Sequence, residues 1–282
     1  MTIGNLFVVS TPIGNLSDIT LRAIDTLKNV DIILCEDTRH SLKLLNHYEI
    51  KNKLISYHKF NEKERSSYIV SLLKEGKNIA LISDAGTPCI SDPGYILIRE
   101  VKDNNIPVIP VGGISAVVSA LSVCGLNTDN FTFYGFFPKE NKDKEEVVNN
   151  IKNSDVNLFV FYESPKRIIK TLEYFFEKLG NIKISLSSDL TKLHEKNYYG
   201  NIEKVIKELN DNEKSNLGEY TLIIECPKEE EIKESISIEA MLIDVIVKNN
   251  ITMKEAIDVV SKNNKKISKK DIYNASLNIK NL

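Results

Sequence analysis

Two α/β domains followed by a small helical extension are the fold class that this 282-residue sequence predicts. Three observations carry the expectation. Short apolar runs alternate with segments of helical periodicity through the first third, the pattern of βαβ units and a mostly parallel sheet. After residue 116 the strand-like runs lengthen and several follow one another across short charged links, the pattern of a mixed, partly antiparallel sheet. After residue 228 only helical periodicity remains. The expected divisions are therefore 1–116, 117–228 and 229–282.

Each element has a local reason. Leu6 to Ser10 (LFVVS) reads as a buried strand. Ser17 or Asp18 can cap a helix that sets Leu21, Ile24, Leu27 and Val30 on one face. Asp31 to Cys35 (DIILC) is a second strand, followed by a short helix over Ser41 to His47 and a weak strand at Leu54 to Ser56. Glu64 to Glu75 is helical with an apolar stripe of Tyr68, Ile69, Leu72 and Leu73, and Gly76 stops it. Ile79 to Ile82 and Pro107 to Val111 are strands flanking a helix from Tyr95 to Asp103. A further helix runs from Ala116 to about Ser122. The second domain has strands at Phe131 to Phe137, Asn157 to Tyr162, Ile182 to Leu190, Glu195 to Asn201 and Glu219 to Cys226. Helices fit at Pro165 to Leu179, with Ser164 as cap and Pro165 as first residue, and at Ile202 to Asn210. The charged segment PKEEEIKES (Pro227 to Ser235) breaks the pattern. Three helices follow, at Ile238 to Lys248, Thr252 to Ser261 and Lys269 to Leu277, with Thr252 and Ser268 as caps.

Composition narrows the function classes. Hydrophobic residues make up 42% of the chain, enough for a buried core and too many for a disordered protein. No run of about 18 apolar residues is present, so no membrane-spanning helix is expected. The start, MTIGNLFVVSTP, lacks a basic region and enters a strand directly, so a signal peptide is not expected either. Cys35, Cys89, Cys124 and Cys226 are far apart, with no pairing or metal-ligand spacing. Cys35 and Cys226 read as reduced core residues, and a cytoplasmic location fits. A net charge of −2 argues against nucleic-acid binding by bulk electrostatics alone, but not against a local basic surface. Residues 260–282 carry six lysines and one aspartate, a local charge of about +5 that suits either a solvated helical tail or an RNA contact. Only five of the 37 basic residues are arginine, and Arg22, Arg39 and Arg167 lie in or beside motif-like segments, where a rigid bidentate cation has a use.

Four loops, each just after an expected strand, hold most of the chemical information: STPIGNL (Ser10 to Leu16), EDTR (Glu36 to Arg39), SDAGTPCISDPG (Ser83 to Gly94) and GGISA (Gly112 to Ala116). Loops at the carboxyl ends of parallel strands gather along one sheet edge, which points to a single cleft. SDAGTPCISDPG is longer than a strand-to-helix turn requires, and its Gly86 and Gly94 allow close backbone approach to a ligand. GGISA precedes a helix that Ser115 can cap, a place suited to an anion such as a carboxylate. EDTR can orient substrate, or form an internal Asp37–Arg39 ion pair. The chain has neither a phosphate-binding GxxxxGK[ST] loop nor a dinucleotide-binding GxGxxG. His40, His47, His58 and His194 have no metal-ligand spacing. FYESPKR (Phe161 to Arg167) and LTKLHE (Leu190 to Glu195) follow second-domain strands in the same manner.

Together and in this order, TPIGNLSDITLRA, EDTRHSLKLL, SYHKFNE, LISDAGTPCISDPG, FYESPKR and LTKLHE resemble the tetrapyrrole methylase superfamily from about Leu6 to Cys226. Within it the resemblance is to the bacterial enzymes that methylate a cytidine 2′-hydroxyl of 16S rRNA. The three-helix tail is similar to an extension seen in part of that group. The resemblance implies two α/β domains of tetrapyrrole-methylase type, S-adenosylmethionine in the cleft between them, a homodimer, and methyl transfer to a ribose in the decoding region of the small ribosomal subunit. It places cofactor contacts on Pro12 and Ile13, on Asp84, Ala85, Thr87 and Ile90, on Ser115 and Ala116, and on Tyr162. No metal is implied. Two departures stand out: GGISA replaces PGPSA, which loosens the loop, and Asp189 replaces the glutamate before LTKLHE.

A sulfonium is an activated methyl donor, so the transfer needs mainly alignment. A ribose hydroxyl benefits from a nearby base. Candidates are Asp37, Asp84 and Glu195, with Lys192 if its pKa is depressed. Arg39 and Arg167 are the choices for holding phosphates near the reacting ribose. Two rival readings share the features: a corrinoid or porphyrin methyltransferase of the same fold, and an RNA-binding scaffold without chemistry.

Overall fold

The computed structural model describes residues 2–226, 237–264 and 267–280. The PKEEEIKES segment lies outside the described residues, as do Lys265 and Lys266 of the basic tail. The chain divides into two compact units, Met1–Pro227 and Lys228–Leu282.

The larger unit holds two five-stranded sheets. The first is built from β1 (Leu6–Val9), β2 (Ile32–Cys35), β3 (Lys53–Ser56), β4 (Ile79–Leu81) and β5 (Val108–Val111), in the order β3-β2-β4-β1-β5. All its pairings are parallel. All four residues of β2 are buried, as expected of a strand covered on both faces. The connecting helices are α1 (Leu21–Asn29), α2 (Thr38–His47), α3 (Glu62–Lys74) and α4 (Tyr95–Asp103). Because every crossing is parallel, the loops after β1, β2, β4 and β5 emerge at one edge, and β4, β1 and β5 are direct neighbours there.

Helix boundaries differ from expectation where a better cap was available. The cap of α1 is Thr20, whose hydroxyl accepts the amide of Ala23, rather than Ser17 or Asp18, which belong to a preceding 3₁₀ turn. That start rotates the buried stripe to Ala23 and Leu27 and leaves Leu21 81% exposed. Asp37 caps α2 and starts it at Thr38, three residues before the expected Ser41. In α3 the buried face is Ser66, Ile69, Val70 and Leu73, so Tyr68, assigned to the stripe from sequence, faces solvent.

The second sheet contains β6 (Phe131–Phe136), β7 (Leu158–Glu163), β8 (Lys183–Ser188), β9 (Lys196–Asn201) and β10 (Tyr220–Glu225), in the order β6-β7-β10-β8-β9. Its β6–β7 pair is parallel and the rest are antiparallel, the expected mixed pattern. Alternation along β7 sends Phe159 and Phe161 into an aromatic core with Phe137 and Phe175, and Leu158 and Val160 to the other face. That other face is covered by α5 (Ala116–Val123) through Val117, Ala120 and Leu121. The helix entered from β5 of the first sheet thus packs on the second, and its N-terminus is drawn to the junction of the two.

Three further helices complete this unit: α6 (Asn141–Asn153), α7 (Ile168–Leu179) and α8 (Ile202–Asn210). No helix was expected at α6. It buries only Val148 and Ile151 and has no side-chain cap, so its periodicity is faint. Helix α7 begins at Ile168 rather than Pro165. Ser164 contributes its carbonyl to the amides of Arg167 and Ile168, and no side chain caps the helix. The smaller unit packs α9 (Ile238–Asn249), α10 (Met253–Asn263) and α11 (Lys269–Lys280) around Leu242, Ala256, Val260, Ile272 and Ala275. Thr252 and Glu255 form a reciprocal capping box on α10, and Ser268 accepts the amide of Asp271 at the start of α11. Among the described residues no helix is long and apolar enough to cross a membrane.

Phe161 is fully buried and stacks on Tyr134 at 5.3 Å and 9°. Phe161→Ala is expected to destabilise the larger unit by about 3–5 kcal/mol, measured as a shift of its denaturant unfolding midpoint.

Candidate active site

Two loops of the first sheet are joined by backbone. Thr11 and Gly86 exchange amide–carbonyl hydrogen bonds of 2.8 and 3.1 Å, forming an isolated antiparallel bridge. The Thr11 hydroxyl adds a bond to the Ser83 carbonyl at 3.1 Å, and the hydroxyls of Ser10 and Thr87 meet at 2.8 Å. Gly86 has φ +76, and a Cβ there would lie 3.5 Å from the Ile13 side chain. The same loop carries Cys89 at φ +72 and Ser91 at φ +67, unfavourable conformations for residues with side chains. Strain concentrated in one loop, held by a bridge at its root, marks a shape retained for use.

A cavity of about 360 Å³ opens beside this bridge, between the two sheets. Ile13, Asp84, Ala85, Thr87, Ile90, Ser115, Ala116 and Tyr162 all line it. Of the residues expected to touch a cofactor, only Pro12 is outside the lining; it lies between bridged Thr11 and Ile13. Ser115 occupies the position before α5 in extended conformation, but its hydroxyl caps nothing within the helix. Phe136, Ser164, Pro165 and Thr221 supply the wall from the second sheet.

The expected catalytic residues have different fates. Asp84 lines the cavity and accepts the amide of Asp37 at 3.3 Å. Asp37 and Arg39 form the exposed ion pair that their spacing allowed, at 2.9 Å. The Arg39 guanidinium, then its amide, holds the Asp37 carboxyl at about 2, and the pair leaves the Arg39 side chain 88% exposed. Glu195 accepts the amide of Thr191 at 2.7 Å and so braces its own loop. Lys192 is bound to Asp189 at 2.9 Å and Glu219 at 3.0 Å. Burial draws the Lys192 pKa down, but these two hydrogen bonds outweigh it and the net shift is upward. Lys192 therefore remains a cation, and the depressed pKa required of a lysine base is not met. Its stem also packs on the first loop: a Cβ on Gly14 would lie 2.5 Å from Lys192 Cγ. Asp189 leans over Gly218, where a Cβ would sit 2.2 Å from its carboxylate.

Arg167 points inward. Its guanidinium meets Glu163 at 2.6 Å and donates to the carbonyls of Phe137 at 2.7 Å and Pro138 at 3.4 Å. The Glu163 side chain is 0% exposed and also accepts from the Ser164 amide and the Thr171 hydroxyl, both at 2.6 Å. Planar, five-donor arginine is needed to serve a carboxylate and a strand end together. The geometry makes Arg167 the fastener of the β7–α7 corner, with its donors committed away from any phosphate.

Sequence reading gave Asp92 no role of its own and took Glu36 only as part of EDTR. Asp92 is half-buried in the cavity wall. Burial, then the Glu36 charge, pushes its carboxyl up to about 6. Glu36 is itself raised by burial and by Asp84. The DPG turn signal at Asp92 concealed it, since an aspartate before proline already has a structural explanation. Among the described residues no cluster of three or more His, Cys, Asp or Glu could hold a metal ion.

The profile of the tetrapyrrole (corrin/porphyrin) methylases matches residues 5–206. A protein of Buchnera aphidicola subsp. Schizaphis graminum named ribosomal RNA small subunit methyltransferase I is 40% identical over 272 residues, covering 96% of this chain and 94% of that one. A relative of the same name from Halalkalibacterium halodurans is 41% identical with the same coverage. One from Thermotoga maritima is 42% identical over 221 residues, 78% of this chain but 98% of its own. Among solved structures, a diphthine synthase superposes with a TM-score of 0.62 at 10% identity, covering 79% of this chain and 90% of that chain. The uroporphyrin-III-C-methyltransferase of Thermus thermophilus gives 0.54 at 16% identity, covering 79% and 94%. These two show the shared fold.

Arg167→Ala leaves Glu163 buried without its cation and is expected to cost about 3–5 kcal/mol, read by denaturant unfolding, with Arg167→Lys recovering only part. In the GGISA loop, a Cβ on Gly112 meets nothing within 4 Å, whereas one on Gly113 would lie 2.9 Å from Ser10 Cβ. Gly112→Ala is therefore expected to stabilise by about 0.4–1 kcal/mol and Gly113→Ala to destabilise, a sign difference that paired thermal melts resolve.

Proposed function

This chain belongs to the tetrapyrrole (corrin/porphyrin) methylase family, and from that premise we propose that it methylates small-subunit ribosomal RNA, at the ribose 2′-hydroxyl of a cytidine in the decoding region. S-adenosylmethionine is the cofactor. The observation that carries the reading is the match of about 40% identity along 96% of the chain to relatives named for that RNA substrate.

The cleft suits the cofactor. A volume of about 360 Å³ is of the size that holds a nucleoside-sized ligand. Gly86 lets backbone approach a flat group closely, and Ile13, Ile90 and Ala116 provide apolar contact. Asp84 gives the wall a carboxylate that complements a ligand bearing sulfonium and ammonium charges. Asp84 accepts one amide bond and has capacity left for hydroxyl or ammonium donors. Ile13, Asp84, Ala85, Thr87, Ile90, Ser115, Ala116 and Tyr162 would hold the cofactor, with Pro12 stiffening the loop behind Ile13. When bound, the cofactor supplies an activated methyl group, so the protein's work is alignment, exclusion of water and removal of one proton.

An oxygen acceptor fits the ionisation of the cleft. Methylation at a pyrimidine carbon calls for a thiolate nucleophile, and Cys89, the thiol in the wall loop, is pushed up to about 11 by burial and by Asp92. Arg39, 88% exposed at the same sheet edge with Nε and one terminal nitrogen on Asp37, is a cation that an RNA phosphate can reach. The protein is read as a cytoplasmic homodimer acting on 16S rRNA within the small subunit; in the single chain large apolar side chains such as Tyr95 and Val118 are 66% and 62% exposed.

The test is methyl transfer from labelled S-adenosylmethionine to small ribosomal subunits from a strain lacking this protein, with the modified nucleotide mapped. The expected product is one 2′-O-methylcytidine in the decoding region. Label on a base, or transfer only to a corrinoid or porphyrin, overturns the 2′-O assignment or the RNA substrate respectively.

A further inference from the structure

Methylation of a ribose hydroxyl releases a proton, and an acceptor beside the cleft speeds the transfer. The inference below rests on the function proposed above.

Most carboxylates at the cleft are already engaged. Glu163 is closed off by Arg167, Thr171 and the Ser164 amide. Glu219 and Asp189 share Lys192. Asp37 is held by Arg39 and Glu195 by the Thr191 amide. Asp84 accepts the Asp37 amide, and its remaining capacity is the one assigned above to the cofactor. Asp92 lines the cavity, among the described residues no cation is paired to it, and the neutral Ser83 hydroxyl lies beside it. It also stands where the wall loop meets the second sheet: a Cβ on Gly135 would lie 3.0 Å from Ser91 Oγ. That position borders both the wall of the cavity and the second sheet.

We propose that the Asp92 carboxylate is the general base that takes the proton of the acceptor ribose hydroxyl. In the step, the O–H bond breaks and its proton passes to an Asp92 oxygen. The hydroxyl oxygen forms a bond to the methyl carbon while the carbon–sulfur bond breaks. The bonding pair stays on sulfur, which leaves as a neutral thioether, and the proton then passes to solvent.

The groups that face Asp92 are Glu36 from the end of β2, Asp84 and Cys89 from its own loop, and Tyr162 from β7. Burial, followed by Glu36, outweighs the Ser83 hydrogen bond and sets Asp92 at about 6, ionised at neutral pH yet basic enough to accept a proton. Tyr162 is pushed up to about 12 by burial and by the Asp92 charge, so it stays protonated beside the base. Because the folded pKa of Asp92 exceeds the ordinary value of 3.8, protonated Asp92 favours the fold. That contribution is complete below about pH 4 and is lost as pH rises through about 6.

The test compares wild type, Asp92→Asn and Asp92→Glu in kcat/KM for methyl transfer to small ribosomal subunits at saturating S-adenosylmethionine, between about pH 5 and 9. Wild type is expected to lose about tenfold per pH unit below a limb near pH 6. Asp92→Asn is expected to be slower by about 10²–10⁴-fold and to lack that limb, and Asp92→Glu to regain part of both. Asp92→Asn should bind the cofactor within about threefold of wild type and melt at or above the wild-type temperature at pH 8, where a merely structural carboxylate would lower it. An Asp92→Asn enzyme with near-normal rate and an intact limb overturns the assignment, as does one that has lost cofactor binding. Absence of transfer by wild type would instead overturn the proposed substrate.

Discussion

The reciprocal hydrogen bonds between Thr11 and Gly86 are the constraint on which the cleft depends. Parallel strands set loops side by side but do not fix their shapes. Here β1 and β4 are neighbours, and the two residues that leave them continue pairing for one antiparallel bridge. Behind that bridge the chain can carry Cys89 and Ser91 in left-handed conformations, each costing on the order of 1–3 kcal/mol, without collapsing into an easier turn. In front of it, Ile13 and Asp84 face the cavity from opposite loops. The second half is joined to this frame by α5, which enters from the first sheet and buries Val117 and Leu121 against the second.

Glu163 and Asp92 show what the fold does with two carboxylates at one cleft. Glu163 is the more buried, yet its burial is offset by an arginine fork, a hydroxyl and an amide. It fixes a corner and is unsuited to proton exchange. Asp92 is only half-buried, but it faces Glu36 and Asp84, and among the described residues no cation compensates them. An isolated domain selected for stability alone would not keep such a group. Satisfied and unsatisfied carboxylates thus divide the work, one giving rigidity and the other reactivity.

Much of this was legible in the sequence because it is written locally. The runs LFVVS and DIILC, the Gly76 stop and the four loops after strands require only neighbouring residues to interpret. The parallel order then brings Ile13, Asp84 and Ser115 to one cavity without further information, while Tyr162 reaches it from the second sheet. What escaped depends on partners distant in the chain. The basicity of Asp92 comes from burial between the wall loop and the second sheet, and then from Glu36, 56 positions earlier. Arg167 looked available to phosphate because its acceptors on Phe137 and Pro138 belong to a strand end 30 and 29 residues away. Local errors came from competition between equivalent signals: Thr20 won over Ser17 and Asp18 as the cap of α1, and the rotation this imposed moved Leu21 into solvent.

The crowding between Gly218 and Asp189 has a consequence for how this sequence can drift. At φ +88, and with a carboxylate occupying the space of its missing Cβ, Gly218 has no tolerated replacement while Asp189 keeps its place. The shorter acidic side chain at 189 and the bare backbone at 218 form one steric unit, to which Lys192 is anchored and through it the Gly14 loop. Substitutions at these positions are therefore not independent events: in a lineage that lengthens residue 189, the compensating change belongs at 218 or in the turn around it, so the two sites should covary.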